Sequence, residues 1–315
     1  MCGGPDMSLT SRMLCKAFAL ADNQKNKGQK NPEDIIRYDN IVYGPDFKWQ
    51  VMDVYRPRDT GEKLPVIIDV HGGGWVYGDK DVYQYYCMSL ARRGFAVVNF
   101  TYRLAPDYIF PSSIEDTDLA VRFVLSHADE YGFDLDNVFM VGDSAGAHMV
   151  CMYCLMCTDR AYAREAVGIV PPEGFVPKAV VLNCGIYDII EMMKSQNASV
   201  ILLKPLIKDL LGVDRLTEEV EKEKERILSP CRFINPDFPP AFVMTCNADF
   251  LIEQPDYLLP QFEKNGIKYV FKTYGEAGGK PLAHVFHCDP RLPEAKVCND
   301  EEMAFLKSYL EKTDE

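Results

Sequence analysis

The amino-acid sequence predicts an α/β protein, a mostly parallel central sheet with helices on both faces. Two observations predict it. Short β-branched runs alternate with segments of helical period along most of the chain, a pattern that specifies parallel strands joined by crossover helices. Gly-rich turns also fall directly after strand-like runs, at the carboxyl ends where sheets of this kind carry their sites. With 315 residues, 47% of them hydrophobic, the chain can bury a large core, and we expect residues 1–315 to form a single domain with a decoration.

Taken in order, residues 8–21 carry Leu9, Met13, Ala17 and Leu20 at helical spacing. Strand-like runs follow at 51–55, which alternates, and at 65–70 and 95–100, which are compact and bounded by Gly, Pro or Asp. A helical pattern covers 114–131, a strand 138–141 and a second helix 145–157. Strands at 179–182, 241–246 and 268–273 and a helix at 255–265 complete the series. Two stretches stand outside the alternation, the N-terminal helix and a long helical insertion over 195–228. We expect segments 1–45 and 186–238 to build a helical cap over the strand ends. Residues 200–203 and 206–211 suit packing on the core and facing a substrate equally well. The charged run at 218–226 reads as a solvated helix face with pairs such as Glu218 with Lys222.

A formal charge of −13 argues against polyanionic partners, so neither nucleic acid nor an anionic membrane surface is expected. The first apolar stretch follows Asp6 and is broken by Arg12 and Lys16, unlike a secretory signal or a spanning helix. The longest apolar run elsewhere, 149–157, is well short of the roughly 18 residues of a membrane span. A cytoplasmic protein acting on a small molecule is the expectation. Eleven scattered cysteines fit reduced thiols better than a disulfide framework. Cys151, Cys154 and Cys157 have the letters of an iron–sulfur run, but steps of three within a helix among Met149, Met152 and Met156 mark them as packing. No metal or cofactor is expected, and no pattern in the sequence assigns an oligomeric state.

The strongest local signal is Gly142-Asp143-Ser144-Ala145-Gly146, a G-x-S-x-G that follows the strand at 138–141 and opens a helix. A sharp strand-to-helix turn strains the serine backbone, and small residues two before and two after it avoid clashes. The turn also sets Ser144 at a helix amino end, whose free N–H groups favour the negative charge that develops on nucleophilic attack. Ala145 would supply one such donor. His71-Gly72-Gly73-Gly74-Trp75 follows the strand at 65–70, and its glycines let backbone amides approach a ligand closely. The amides of Gly73 and Gly74 are expected to join Ala145 in an oxyanion hole, with His71 holding the loop. A phosphate-cradling loop does not fit, because no G-K-[ST] follows.

A serine nucleophile needs a base, and the chain holds five histidines. His71 lies in the oxyanion loop, His127 in a surface helix, and His148 one turn past Ser144, pointing along the helix. His284 and His287 remain, both beyond the strand at 268–273, with His284 preferred. Asp249, directly after the strand at 241–246, keeps the chain order Ser…Asp…His and can orient the imidazole. Asp256 and Glu253 are weaker choices for the acid, and Asp249 also suits a helix N-cap.

Together these residues resemble the hormone-sensitive lipase family of α/β hydrolases, which includes bacterial carboxylesterases and arylacetamide deacetylase-like enzymes. The likeness runs from Asp53-Val54-Tyr55-Arg56-Pro57 through HGGGW, Tyr102-Arg103-Leu104-Ala105-Pro106, Phe110-Pro111 and Glu115-Asp116 to GDSAGAH. It continues in Asp249-Phe250-Leu251-Ile252-Glu253, similar to the family's D-P-L-x-D/E, and in His284-Val285-Phe286, similar to its H-G-F. The resemblance implies the α/β-hydrolase fold with a helical cap, and a triad of Ser144, Asp249 and His284 that hydrolyses small, short-acyl carboxylic esters. Phe250 stands where the family has proline, and 275–283 is longer than its usual approach to the histidine. HGGGW with SAGAH is similar to arylformamidases too, so the resemblance implies N-formyl amide hydrolysis by the same residues as the alternative. A binding-only role, as in receptors resembling this family that lack the histidine, is disfavoured by His284.

Overall fold

Among the described residues, hydrophobic alternation and β-branched runs produce eight strands: β1 (Ile35–Val42), β2 (Val51–Pro57), β3 (Leu64–Val70), β4 (Ala96–Phe100), β5 (Phe133–Asp143), β6 (Val180–Asn183), β7 (Ala241–Cys246) and β8 (Tyr269–Tyr274). The computed structural model describes residues 7–58, 60 and 63–310, so the first six residues of the expected cap segment 1–45, Asp6 among them, lie outside the described residues. The strands form one sheet in the order β1-β2-β4-β3-β5-β6-β7-β8. β1 and β2 pair antiparallel, β2 runs antiparallel to β4, and every pairing from β4 through β3 to β8 is parallel. The expected fold class, a mostly parallel sheet covered on both faces, is what the chain adopts.

Alternate residues of the central strands feed two cores. Val66, Ile68, Val98, Met140, Leu182 and Val243 face the helices Ser112–Ser126, Ala145–Thr158 and Pro255–Asn265. Ile67, Val97, Val141, Val181, Phe242 and Met244 face the helices Lys80–Ala91 and Pro293–Lys307. Burial on both sides explains why these strands read as compact apolar runs. The helix Ala145–Thr158 is buried almost all round, as an apolar helix at the centre of a domain must be. Local signals set the helix ends: Asp79 caps Lys80–Ala91 by accepting from the Val82 amide, and Gly266 ends Pro255–Asn265 in the left-handed region at φ 71°.

Several boundaries differ from the sequence reading. β1 is an additional strand; its residues Arg37, Asp39 and Asn40 are polar because it lies at the sheet edge, and Asn40 sits at φ 58° where the register shifts. The expected helix over 114–131 is two, Ser112–Ser126 and Ala128–Tyr131, parted at His127. The expected long insertion is a chain of short helices, Ile189–Lys194, Ala198–Ile201, Lys204–Leu211, Glu218–Glu223 and Glu225–Leu228, with Gly212 ending one of them at φ 65°. The charged run therefore breaks at Lys224, and Arg226 and Glu225 pair instead with Glu165 and Arg232. Of the two apolar stretches in the insertion, Val200, Leu203, Leu206, Ile207, Leu210 and Leu211 are buried, while Ile201 and Leu202 are exposed.

The N-terminal helix Leu9–Asn26 forms with Ser8 as its N-cap, and the face that packs is not the one that carries Leu9, Met13 and Leu20. Ser11 and Cys15 are buried, while Leu9, Met13 and Leu20 are exposed. The helix is tied down by Tyr77 Oη donating to Asp22 Oδ2 at 2.9 Å and Asn26 Nδ2 donating to the Val82 carbonyl at 3.0 Å. Among the described residues no helix is long and apolar enough to cross a membrane.

Candidate active site

β5 ends at Asp143, and Ser144 turns the chain into the helix Ala145–Thr158 at φ 52° and ψ −116°. Such a backbone costs on the order of 1–3 kcal/mol and persists only where its surroundings enforce it. They do so here: the Ser144 amide donates to the Asn183 carbonyl at 2.9 Å, and its carbonyl accepts from the His148 amide at 3.2 Å. A Cβ on Gly146 would lie 1.8 Å from the Val70 carbonyl oxygen, and one on Gly142 would lie 2.6 Å from the Gly146 backbone. Only glycine lets β3 and β5 close on the turn.

The HGGGW loop leaves β3 beside this turn. Gly73 has φ 117° and Gly74 φ 61°, and a Cβ on Gly73 would meet the Tyr77 carbonyl oxygen at 2.0 Å. His71 is fully buried, stacks on Tyr102 at 4.1 Å and donates from Nδ1 to the Gly72 carbonyl at 2.7 Å. Burial pushes it down to about 4, so it is a neutral strut of the loop. The amides of Gly73, Gly74 and Ala145 donate to no protein acceptor among the described residues. Leu206 from the insertion covers the loop, 2.7 Å from where a Cβ on Gly74 would stand.

Asp143, inside the serine motif but given no task by the sequence, clamps the two loops together. Its Oδ1 accepts from the Gly72 amide at 3.0 Å, and its Oδ2 from the Tyr83 hydroxyl at 2.8 Å. Burial pushes its carboxyl up to about 6, against the opposing pull of the Tyr83 hydrogen bond and the His284 and Lys25 charges. Tyr83 comes from the helix Lys80–Ala91, more than fifty residues away, and no local motif marks it.

Asp249 follows β7 and His284 follows β8, and His284 Nδ1 donates to Asp249 Oδ1 at 2.7 Å. The carboxylate is fixed further by the Leu251 amide on Oδ1 at 2.9 Å and the Thr245 hydroxyl on Oδ2 at 3.0 Å. Burial alone would raise this carboxyl, yet the His284 charge and hydrogen bond, with the Leu251 amide, hold it below the usual carboxylate range. The Leu251 contact is the N-cap-like turn that Asp249 also suits. Phe250, the departure from the family's proline, lays its ring 4.2 Å from the imidazole. The long stretch 275–283 is gathered by Asn247, whose Nδ2 donates to the Glu276 and Lys280 carbonyls and whose Oδ1 accepts from the Leu282 amide. A parallel bridge between Ala248 and Ala283 then sets His284 beside Asp249.

Ser144, His284, Gly73 and Gly74 line one cleft of about 80 Å³, walled on the far side by Phe18 and Asp22 of the N-terminal helix. Ser144 is 9% exposed. Among the described residues Ser144 Oγ makes no hydrogen bond to His284, a looseness common in unliganded sites. The other histidines stand elsewhere. His287 is fully buried, edge-on to Tyr86 at 5.2 Å, and burial with the neighbouring Lys25 and His284 charges pushes it down to about 3. His148 donates from Nε2 to the Ile227 carbonyl at 2.7 Å and so anchors the insertion, and His127 stacks on Phe123 at 3.9 Å.

Cys151 and Cys154 are buried and Cys157 is half-buried in the core, and burial pushes all three thiols up. One group among the described residues, Cys184, Cys246 and Asp249, brings three potential metal-ligand atoms within 4.8 Å of one another. Its members already have tasks: Asp249 holds His284, Cys246 Sγ donates to the Leu282 carbonyl at 3.2 Å, and burial keeps the Cys184 thiol protonated.

Sheet order, serine elbow and glycine loop define an α/β hydrolase. Within that class the chain belongs to the BD-FAE family, whose profile matches residues 52–256, in keeping with the hormone-sensitive-lipase-like family its motifs resemble. It is 30% identical over 257 residues to the probable carboxylic ester hydrolase LipM of Mycobacterium tuberculosis, covering 79% of this chain and 57% of LipM. It is 30% identical over 216 residues to Esterase LipC of the same organism, covering 67% of this chain and 51% of LipC. The chain thus spans about half the length of the curated relatives it matches. Among solved structures it resembles Esterase B from Lactobacillus rhamnosis, determined inhibited by a C4-C4 sn3 tributyrin phosphonate, with TM-score 0.83, 26% identity and coverage of 97% of this chain and 96% of that one.

Proposed function

We propose that the chain is a serine carboxylesterase that cleaves small, short-acyl esters through an acyl-enzyme on Ser144. The observation that carries this reading is the 2.7 Å His284–Asp249 pair on the same cleft as the strained Ser144 and the unengaged loop amides. His284 takes the Ser144 proton as Oγ attacks the ester carbonyl, and Asp249 holds the imidazole tautomer and offsets its charge. The Gly73, Gly74 and Ala145 amides receive the oxyanion. The imidazolium then protonates the leaving alcohol, and water attacks the acyl-enzyme by the reverse relay. Segments 1–45 and 186–238 act as a cap, the first contributing Phe18 and Asp22 to the cleft wall and the second laying Leu206 on the glycine loop.

Two facts support a short acyl group. The cleft of about 80 Å³ is small beside the roughly 300–1,000 Å³ of sites that bury drug-sized ligands, and Esterase B accepted a tributyrin phosphonate. The relatives named above are esterases, and N-formyl amide hydrolysis draws no support from them. The test is turnover of p-nitrophenyl acetate, butyrate and longer esters beside N-formylkynurenine, with Ser144→Ala as control. Short esters are expected to be preferred and Ser144→Ala to fall by at least about a thousandfold. Full activity in Ser144→Ala would end the proposal.

A further inference from the structure

The helix Leu9–Asn26 has two faces with different fates. Its inner face carries Ser11, Cys15, Phe18 and Asp22 against the protein, and Phe18 and Asp22 reach the catalytic cleft. Its outer face presents Leu9 at 71%, Met13 at 61% and Leu20 at 71% exposure. At about 100° per residue these three and Ala17 fall within an arc of roughly 80°, opposite the buried residues, with Arg12 and Lys16 along one border. Nothing among the described residues covers this stripe.

The charge around it departs from that of the chain. Between Leu9 and Lys30 the cations are Arg12, Lys16, Lys25, Lys27 and Lys30 and the only acid is Asp22, in a protein whose formal charge is −13. Asp22 is paired with Lys25 at 2.8 Å, and Lys16, Lys27 and Lys30 are exposed on and just beyond the helix. The screening length at physiological ionic strength is about 8 Å, so a surface touching this helix responds to the charges within that reach more than to the net charge of the whole chain.

We propose that the outer face of this helix docks on an anionic lipid surface, with Leu9, Met13 and Leu20 entering the interface and the flanking cations meeting the headgroups. An apolar arc bordered by Lys and Arg on one exposed helix is the pattern of helices that lie in an interfacial plane. A second copy of the chain is a poorer occupant, since two such faces would bring their basic groups together. Docking would seat on the interface the helix that walls the cleft. The inference revises the expectation that net charge excludes an anionic membrane, and it does not depend on the reaction proposed for Ser144.

The test is co-sedimentation of the full chain with vesicles of phosphatidylcholine alone and with about 30% phosphatidylserine. Size-exclusion chromatography with light scattering is run in parallel. Binding is expected only with phosphatidylserine and is expected to weaken in high salt. It should fall about tenfold or more in the triple variant Leu9→Gln, Met13→Gln, Leu20→Gln, and also in Lys16→Glu. Hydrolysis of dissolved p-nitrophenyl acetate by the triple variant should stay within about twofold of the native chain, because none of the three residues lines the cleft. Absence of binding to the anionic vesicles, equal binding by the triple variant, or a native dimer that the triple variant dissociates would each overturn the proposal.

Discussion

Replacing Asp249 by asparagine and by alanine should give losses of different size, and the structure says why. Oδ1 accepts from both the Leu251 amide and His284 Nδ1, whereas Oδ2 meets the Thr245 hydroxyl, which can turn to accept. An asparagine therefore keeps its oxygen at the Oδ1 position, because its NH2 there would face two donors, and points the NH2 at Thr245. His284 retains its tautomer and loses only the charge of its partner. A charge-assisted hydrogen bond contributes about 1.5–3 kcal/mol, so Asp249→Asn should lower kcat by about 10- to 100-fold at about 1.4 kcal/mol per decade. Asp249→Ala removes the acceptor and frees the ring to take the unproductive tautomer, for which a loss of about ten-thousand-fold is expected. Stopped-flow release of p-nitrophenol from p-nitrophenyl butyrate measures acylation in both. Equal losses in the two variants, or a loss below tenfold in Asp249→Ala, would refute the reasoning.

Two further predictions concern the frame around this pair. The Asp143 carboxyl ionises near 3.8 when unfolded and at about 6 when buried, so between those values the native state holds a proton that the unfolded state has released. Its contribution to stability thus falls as pH rises from about 4 to about 6, and Asp143→Asn should remove that slope: urea midpoints of the variant relative to the native chain should rise over this range. A parallel pH dependence in both proteins would contradict the assignment. Asn247→Ala releases the Glu276, Lys280 and Leu282 backbone contacts that gather the loop before His284. It should cut kcat roughly tenfold with little change in KM, since the substrate-binding wall is untouched; a rise in KM alone would place the loop in binding instead.

The sheet was legible wherever burial on both faces forces apolar, β-branched sequence, as in β3, β4 and β7. β1 escaped because an edge strand carrying Arg37, Asp39 and Asn40 has no such signature. The serine turn and the glycine loop were legible because each depends on backbone sterics set by neighbouring residues. His284 against His287 was not settled by position, because the path of 275–283 is determined by the Asn247 side chain and not by local pattern. Tyr83, Phe18 and Asp22 reach the cleft from distant helices, and nothing near them in sequence announces it. The outer stripe of the N-terminal helix shows the converse: the helical period was legible, but spacing alone does not say which face packs, and Leu9, Met13 and Leu20 are exposed.

The loop held by Asn247 also separates shape from length. Its neck is closed by the Asn247 amide and by the Asn247 amide N–H on the Tyr274 carbonyl at 2.9 Å, while Gly278 has no atom within 4 Å of where a Cβ would stand. The tip at 277–279 is exposed and bears no contact that His284 relies on. An epitope or fluorophore-bearing peptide spliced there would be carried by the neck without disturbing the imidazole, which makes this bend a natural anchorage for a reporter of how the molecule sits on surfaces and partners.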